Sequence, residues 1–106
     1  PHGWANALVL PHVLDFSAEA AQARLAALAD IVGIAGAGER ERARAFIDAV
    51  RRLQASVGIP PTLPALQPTD IPQLAQRALA EAWANYPVPR YMYQADAEAL
   101  LAKLVA

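Results

Sequence analysis

Apolar side chains recur at a helical period in five segments of the chain, and no segment alternates apolar and polar residues as a half-buried strand does. The predicted helices run from Trp4 to Phe16, from Ser17 to Val32, from Glu39 to Val57, from Asp70 to Ala82 and from Ala95 to Val105. Because each helix has an apolar stripe to cover, the pattern predicts an all-α fold, a bundle of about five helices.

Local signals mark several helix ends. Ser17 has the side chain of an N-cap for the second helix, and Asp70 that of an N-cap for the fourth, with Gln73 completing a capping box. Glycine is favoured just past a helix end, so Gly33 and Gly58 are predicted to terminate the second and third helices.

The first helix is apolar on most sides, so we expect it to be largely buried. It contains Pro11, which has no N–H and crowds the carbonyl of Ala7 one turn earlier. A kink is therefore expected there.

The third helix is expected to have a solvated, charged first turn. Opposite charges three or four residues apart on a helix attract each other by a few tenths of a kcal/mol. The predicted pairs are Glu39 with Arg42, Glu41 with Arg44 and Asp48 with Arg52.

Length and composition favour one compact helical domain over residues 1–106, in which 26 alanines allow close helix packing. The net charge is −1 and there is no basic stripe, which argues against nucleic acid as a partner. No apolar run is long enough to span a membrane, and cysteine is absent, so we expect a cytoplasmic protein.

Two histidines, His2 and His12, are the only imidazoles in the chain. A helix turns by about 100° per residue, so ten residues place the two histidines off a common face of the helix. They should therefore not chelate one ion together. Spacing alone predicts no metal site, and His12 is interpreted as a packing residue.

Residues 1–13, PHGWANALVLPHV, resemble the segment that supplies the last metal ligand in the iron-containing (group III) alcohol dehydrogenases. Three later motifs follow in the family's order, although each is of a kind that is common at helix ends. They are Val57-Gly58-Ile59-Pro60, Thr69-Asp70-Ile71-Pro72 and Tyr86-Pro87-Val88-Pro89-Arg90. The resemblance covers essentially the whole chain and implies the family's C-terminal helical domain.

The resemblance implies that His2 is one of four ligands, three histidines and an aspartate, of Fe2+ or sometimes Zn2+. Gly3 would let the chain pass close to the ion, and Asn6, one turn after His2, would orient it. The remaining ligands and the NAD(P)-binding domain would lie upstream, as the missing N-terminal partner. The intact enzyme would interconvert small alcohols and aldehydes, whereas this fragment alone should be inactive and bind neither cofactor tightly.

Two other interpretations stay open. The chain could be a free-standing helical interaction or oligomerisation module without catalysis, and a first helix buried among the other four would favour this. A first helix with one bare side would instead indicate a fragment whose missing partner covered it, and its exposed apolar patch would promote self-association into a homo-oligomer. A relative of the zinc-dependent glycerol dehydrogenases fits less well, because Asn6-Ala7 and Leu10-Pro11 match the iron-containing branch better.

Overall fold

The computed structural model describes residues 2–85 and 87–106, and for residues 2 and 83–85 it describes the backbone only. It divides into two compact units, Pro1–Pro60 (the N-terminal unit) and Pro61–Ala106 (the C-terminal unit). The α-helices are α1 (His2–Ser17), α2 (Gln22–Ile31), α3 (Glu39–Ser56), α4 (Ile71–Asn85) and α5 (Gln94–Ala102). The predicted all-α fold class is confirmed for the described residues, whereas a single domain over 1–106 stays a prediction.

The core of the N-terminal unit lies where α2 packs against α3. Its central buried residues are Ala18, Leu25, Ala43 and Ile47, with Leu14, Ala21 and Phe46 packed around them. Ala43 and Ile47 are one turn apart on α3, and the small alanine lets the two helices approach closely. α1 also packs on α3.

Two glycines end α2 and α3 in the same way. Gly33 has a φ of +78° and Gly58 a φ of +84°, in the left-handed region that favours glycine. The N–H of the next residue reaches back to a helix carbonyl in each case, Ile34 to Ala29 at 2.8 Å and Ile59 to Gln54 at 3.0 Å. Both are Schellman ends, which confirms the two predicted termini.

The predicted cap at Ser17 is wrong. Ser17 is the last residue of α1 and is buried, while α2 begins only after the turn that follows, at Gln22. Helical bonding continues through that turn, because the N–H of Ala21 donates to the Ser17 carbonyl at 2.9 Å and that of Leu25 to Ala21 at 3.0 Å. No helix begins at residue 17, so Ser17 has no helix start to cap.

The expectation that α1 is largely buried is also wrong. Leu8 and Pro11 are buried, but residues 3–6 are exposed and so are Leu10 and Val13. An apolar sequence shows which residues favour burial, and only the neighbouring elements decide which of them are covered. α1 runs as a continuous helix through Pro11, and the kink there stays a prediction.

The structure pairs the charges of α3 differently from the predicted pattern. Arg42 bridges to Asp30 of α2 at 3.0 Å, and Arg51, rather than Arg52, lies 3.7 Å from Asp48. Glu39 accepts a hydrogen bond from Gln22 at 3.4 Å, and Glu41 accepts one from the N–H of Ala37 at 2.6 Å. Of the predicted spacings along α3 only a pair at Asp48 forms, with Arg51 as the partner, whereas Arg42, Glu39 and Glu41 contact residues outside the helix.

The C-terminal unit packs α4 against α5. α4 begins directly after Asp70, as predicted, and a 3-10 turn over Pro68–Asp70 leads into it. α5 ends at Ala102, earlier than predicted, and Val105 instead forms an isolated parallel bridge with Leu63. The buried residues of this unit are Leu66, Ile71, Ala75, Ala97 and Leu104.

α4 ends at Asn85, where the sequence predicts a turn through Arg90. Tyr86, the first residue of the Tyr-Pro-Val-Pro-Arg motif, lies outside the described residues. The backbone from residue 87 to residue 93 has no helical structure, which agrees with the predicted break.

Candidate functional site

The first two turns of α1 hold the three predicted site residues. His2 is the first residue of the helix, and its side chain lies outside the described part. Gly3 is exposed, and a Cβ added there would meet nothing within 4 Å. Asn6 is exposed, and its position one turn after His2 puts the two residues on neighbouring parts of the helix surface. The roles of all three residues stay predictions.

α3 contacts the backbone of α1 just beyond these residues. The side-chain amide of Gln54 donates a hydrogen bond to the Ala7 carbonyl with an N–O distance of 2.6 Å. Farther along α1, the Asp15 carboxylate pairs with the guanidinium of Arg51. Polar contacts therefore hold α1 against α3 at Ala7 and again near its end at Asp15.

The described residues do not build a metal centre by themselves. Among them there is no group of three or more His, Cys, Asp and Glu side chains able to hold an ion. An imidazole such as that of His2 suits Fe2+ or Zn2+, so its chemistry fits one ligand of such an ion. A specific site at His2 would therefore need further ligands from outside the described residues.

Apolar side chains are exposed at two further places in the N-terminal unit besides α1. Leu28, Ile31 and Val32 form one turn of exposed apolar surface at the end of α2, where Ile31 is 79% exposed. Leu53 and Val57 form a second exposed apolar surface at the end of α3. Among the large apolar side chains described on α1, Trp4 is the most exposed, at 51%. Surface of this kind is typical of places where another protein segment packs.

A shallow depression lies elsewhere in the N-terminal unit, between the turn after α1 and the first half of α3. Its volume of about 10 Å³ has room for about one water molecule. The lining residues are Ala18, Glu19, Gln22, Arg40, Ala43 and Arg44. It includes none of the predicted site residues and is too small for an organic substrate.

Within the described ranges, no helix combines the length and the apolar character needed to cross a membrane.

Comparison with known families decides the relationship of the chain. The family model described as Fe-containing alcohol dehydrogenase family, C-terminal, matches residues 1–105. The chain belongs to this family. The resemblance read from residues 1–13 and from the later motifs is thereby confirmed.

Curated members of the family are similar to this chain over most of its length. Lactaldehyde reductase of Escherichia coli (strain K12) is 40% identical over 83 residues, which cover 74% of this chain and 22% of that protein. 1,3-Propanediol dehydrogenase of Klebsiella pneumoniae is 36% identical over 85 residues, covering 76% of this chain and 22% of that protein. NADPH-dependent butanol dehydrogenase of Clostridium saccharobutylicum is 36% identical over 63 residues, 59% of this chain and 16% of that protein.

The chain spans about a fifth of the length of the relatives named first, 22% in each case. The similarity therefore concerns the C-terminal helical part of these oxidoreductases.

The contact of Gln54 with α1 was not predicted from the sequence, although Pro11 gave one sign of it. Pro11 shows that the Ala7 carbonyl needs a new partner, but the residue that supplies it is 47 positions away from Ala7.

Proposed function

We propose that this chain is the C-terminal helical part of a metal-dependent, NAD(P)-linked alcohol dehydrogenase or aldehyde reductase. In the assembled enzyme it contributes His2 as one metal ligand and forms part of the substrate cleft. The match to the family over residues 1–105 carries this proposal, because it includes the motif that contains His2. The names of the relatives, all oxidoreductases of small alcohols or aldehydes, support the class of substrate.

Three residues of the first two turns of α1 carry the proposed chemistry. His2 would donate an imidazole lone pair to Fe2+ or Zn2+, Gly3 would keep the adjoining backbone free of a side chain, and Asn6 would orient the imidazole from one turn away. When bound, the ion supplies Lewis acidity at the alcohol or aldehyde oxygen while hydride is exchanged with the nicotinamide.

The rest of the enzyme is provided by an N-terminal nucleotide-binding domain, which brings the other ligands and the NAD(P) site. Residues 1–106 alone are inactive in this proposal, because one histidine cannot hold a specific ion. The exposed apolar surface of α1, including Trp4 and Leu10, supports the proposal that a further part of the enzyme covers it. We place the enzyme in the cytoplasm.

Metal content tests the role of His2. In the protein that joins residues 1–106 to a nucleotide-binding domain, His2→Ala is expected to abolish stoichiometric binding of iron or zinc and with it alcohol oxidation. His12→Ala is the matched control, since His12 lies ten residues later on the same helix, and its metal content should match that of the parent. Full metal occupancy in a folded His2→Ala protein would overturn the proposed ligand.

A second candidate is a free-standing interaction or oligomerisation module without catalysis, whose partner would cover the apolar side chains exposed at the ends of α2 and α3. Sedimentation of the 106-residue chain, combined with the reading frame of its gene, separates the two. A stable homo-oligomer from a gene that encodes only this region supports the module. A longer protein with a nucleotide-binding domain supports the dehydrogenase.

A further inference from the structure

An unusual feature of α1 is the carbonyl of Ala7, which loses its regular helical donor at Pro11. In a regular helix the N–H of residue 11 bonds to the carbonyl of residue 7, but residue 11 is proline and has no N–H. A backbone carbonyl left without a partner in a partly buried place destabilises the fold, because it has given up its hydrogen bond to water. The structure resolves this with a side chain of α3, since Nε2 of Gln54 lies 2.6 Å from the Ala7 oxygen.

A second side chain of α3, close to Gln54, contacts α1 at a position after Pro11. Arg51 lies three residues before Gln54, so their side chains are neighbours on the helix. Arg51 pairs with Asp15, four residues after Pro11, while Gln54 bonds to Ala7, four residues before it. The two contacts bracket Pro11, itself buried, and so fix both halves of α1 against one helix.

From this geometry we propose that Gln54 is a positioning residue of the site. It replaces the donor that Pro11 lacks, and it thereby fixes the first two turns of α1, which carry His2, Gly3 and Asn6. The amide suits this task because it donates to a carbonyl without adding a charge next to the ligand. The proposal rests on the proposed function, in which His2 binds the ion.

A double-mutant cycle on the 106-residue chain tests the substitute donor. Gln54→Met keeps the length of the side chain and removes the donor, and we expect it to raise the unfolding equilibrium constant about 5- to 30-fold. In a Pro11→Ala background the N–H of residue 11 satisfies the Ala7 carbonyl, so the same change should raise it less than about 2-fold. Gln76→Met, at an exposed position of α4, is the matched control and should have no effect of this size.

Gln54→Glu provides a second variant in case Pro11→Ala disturbs folding. An ionised glutamate has the same shape as glutamine but only accepts hydrogen bonds, so it should destabilise at least as much as Gln54→Met. Equal effects of Gln54→Met in the parent chain and in the Pro11→Ala background overturn the proposal. A stable Gln54→Glu protein, with the Ala7 carbonyl carbon unshifted in its NMR spectrum, also overturns it.

Zinc affinity tests the consequence for the site. In the protein that joins residues 1–106 to a nucleotide-binding domain, Kd for Zn2+ is measured by chelator competition. Gln54→Met is expected to raise Kd about 10-fold, the smaller end of the effects seen for groups that orient metal ligands, and Pro11→Ala should restore most of the loss. Gln76→Met should leave Kd unchanged.

The outcomes separate this inference from the proposed function. If His2→Ala abolishes zinc binding while Gln54→Met leaves Kd unchanged, positioning by Gln54 is refuted and the ligand role of His2 stands. If His2→Ala leaves zinc binding intact, the proposed function fails, and with it any role of Gln54 toward the ion. In that case the cycle on the 106-residue chain still decides whether Gln54 serves as the donor.

Discussion

Replacing Ile47 by alanine tests whether the contact between α2 and α3 is the main source of stability in the N-terminal unit. Ile47 is 1% exposed and lies in the core cluster beside Ala43 and Leu25. The change removes about three buried methyl or methylene groups, each worth ~0.8 kcal/mol, and leaves a cavity that adds to the loss. Together these terms predict a loss of about 2–5 kcal/mol in the free energy of unfolding.

Leu53→Ala on the same helix is the matched control. Leu53 is 64% exposed, so the same kind of truncation removes little buried surface there. Alanine and leucine both favour helix, and the free energy of unfolding should change by less than about 0.5 kcal/mol.

The assay is urea unfolding of both variants and the parent, followed by far-UV circular dichroism. Hydrogen exchange of peptides from α2 and α3 assigns the loss to the N-terminal unit. Ile47→Ala should lower the urea midpoint strongly and speed exchange in both helices. If the two variants lower the midpoint equally, or if exchange in α2 is unchanged by Ile47→Ala, the assignment of the core is refuted.

Three further predictions concern single contacts. Gly58→Ala should lower the free energy of unfolding in urea titrations by about 1 kcal/mol, because Gly58 has a positive φ. Gly38→Ala, at an extended φ of −140°, should not, and equal losses would refute the left-handed helix end. Arg51→Met should cost no more than about 1 kcal/mol, since its salt bridges are partly exposed, and the cost should shrink in high salt; a salt-independent loss would point to packing instead. Trp4→Ser should weaken any self-association of the 106-residue chain in analytical ultracentrifugation, and unchanged association would place the contact elsewhere than α1.

Features that depend only on residues close together in the sequence could be predicted from it. The five helices, the glycine ends at Gly33 and Gly58 and the start of α4 after Asp70 all follow from local backbone chemistry. Ser17 was the exception among the caps. Its side chain suits a helix start, but α1 and the following turn already satisfy the backbone there.

Contacts between helices were not predictable in the same way. Arg42 has glutamates nearby in sequence, yet it pairs with Asp30 on α2, and the exposure of α1 depends on which elements pack beside it. At the candidate site, His2 could be found only through the resemblance of residues 1–13 to a family segment. The hydrogen bond from Gln54 to Ala7 needed the structure, because the two residues meet only when α3 packs on α1.

We propose that this chain is the metal-site helical part of a longer dehydrogenase. The most direct measurement is the intact mass of the natural protein together with the sequence of its gene upstream of Pro1. We predict a reading frame that continues upstream into a nucleotide-binding domain containing the aspartate and histidine ligands. Translation that begins immediately before Pro1 would contradict the claim, and the interpretation as an interaction module would replace it.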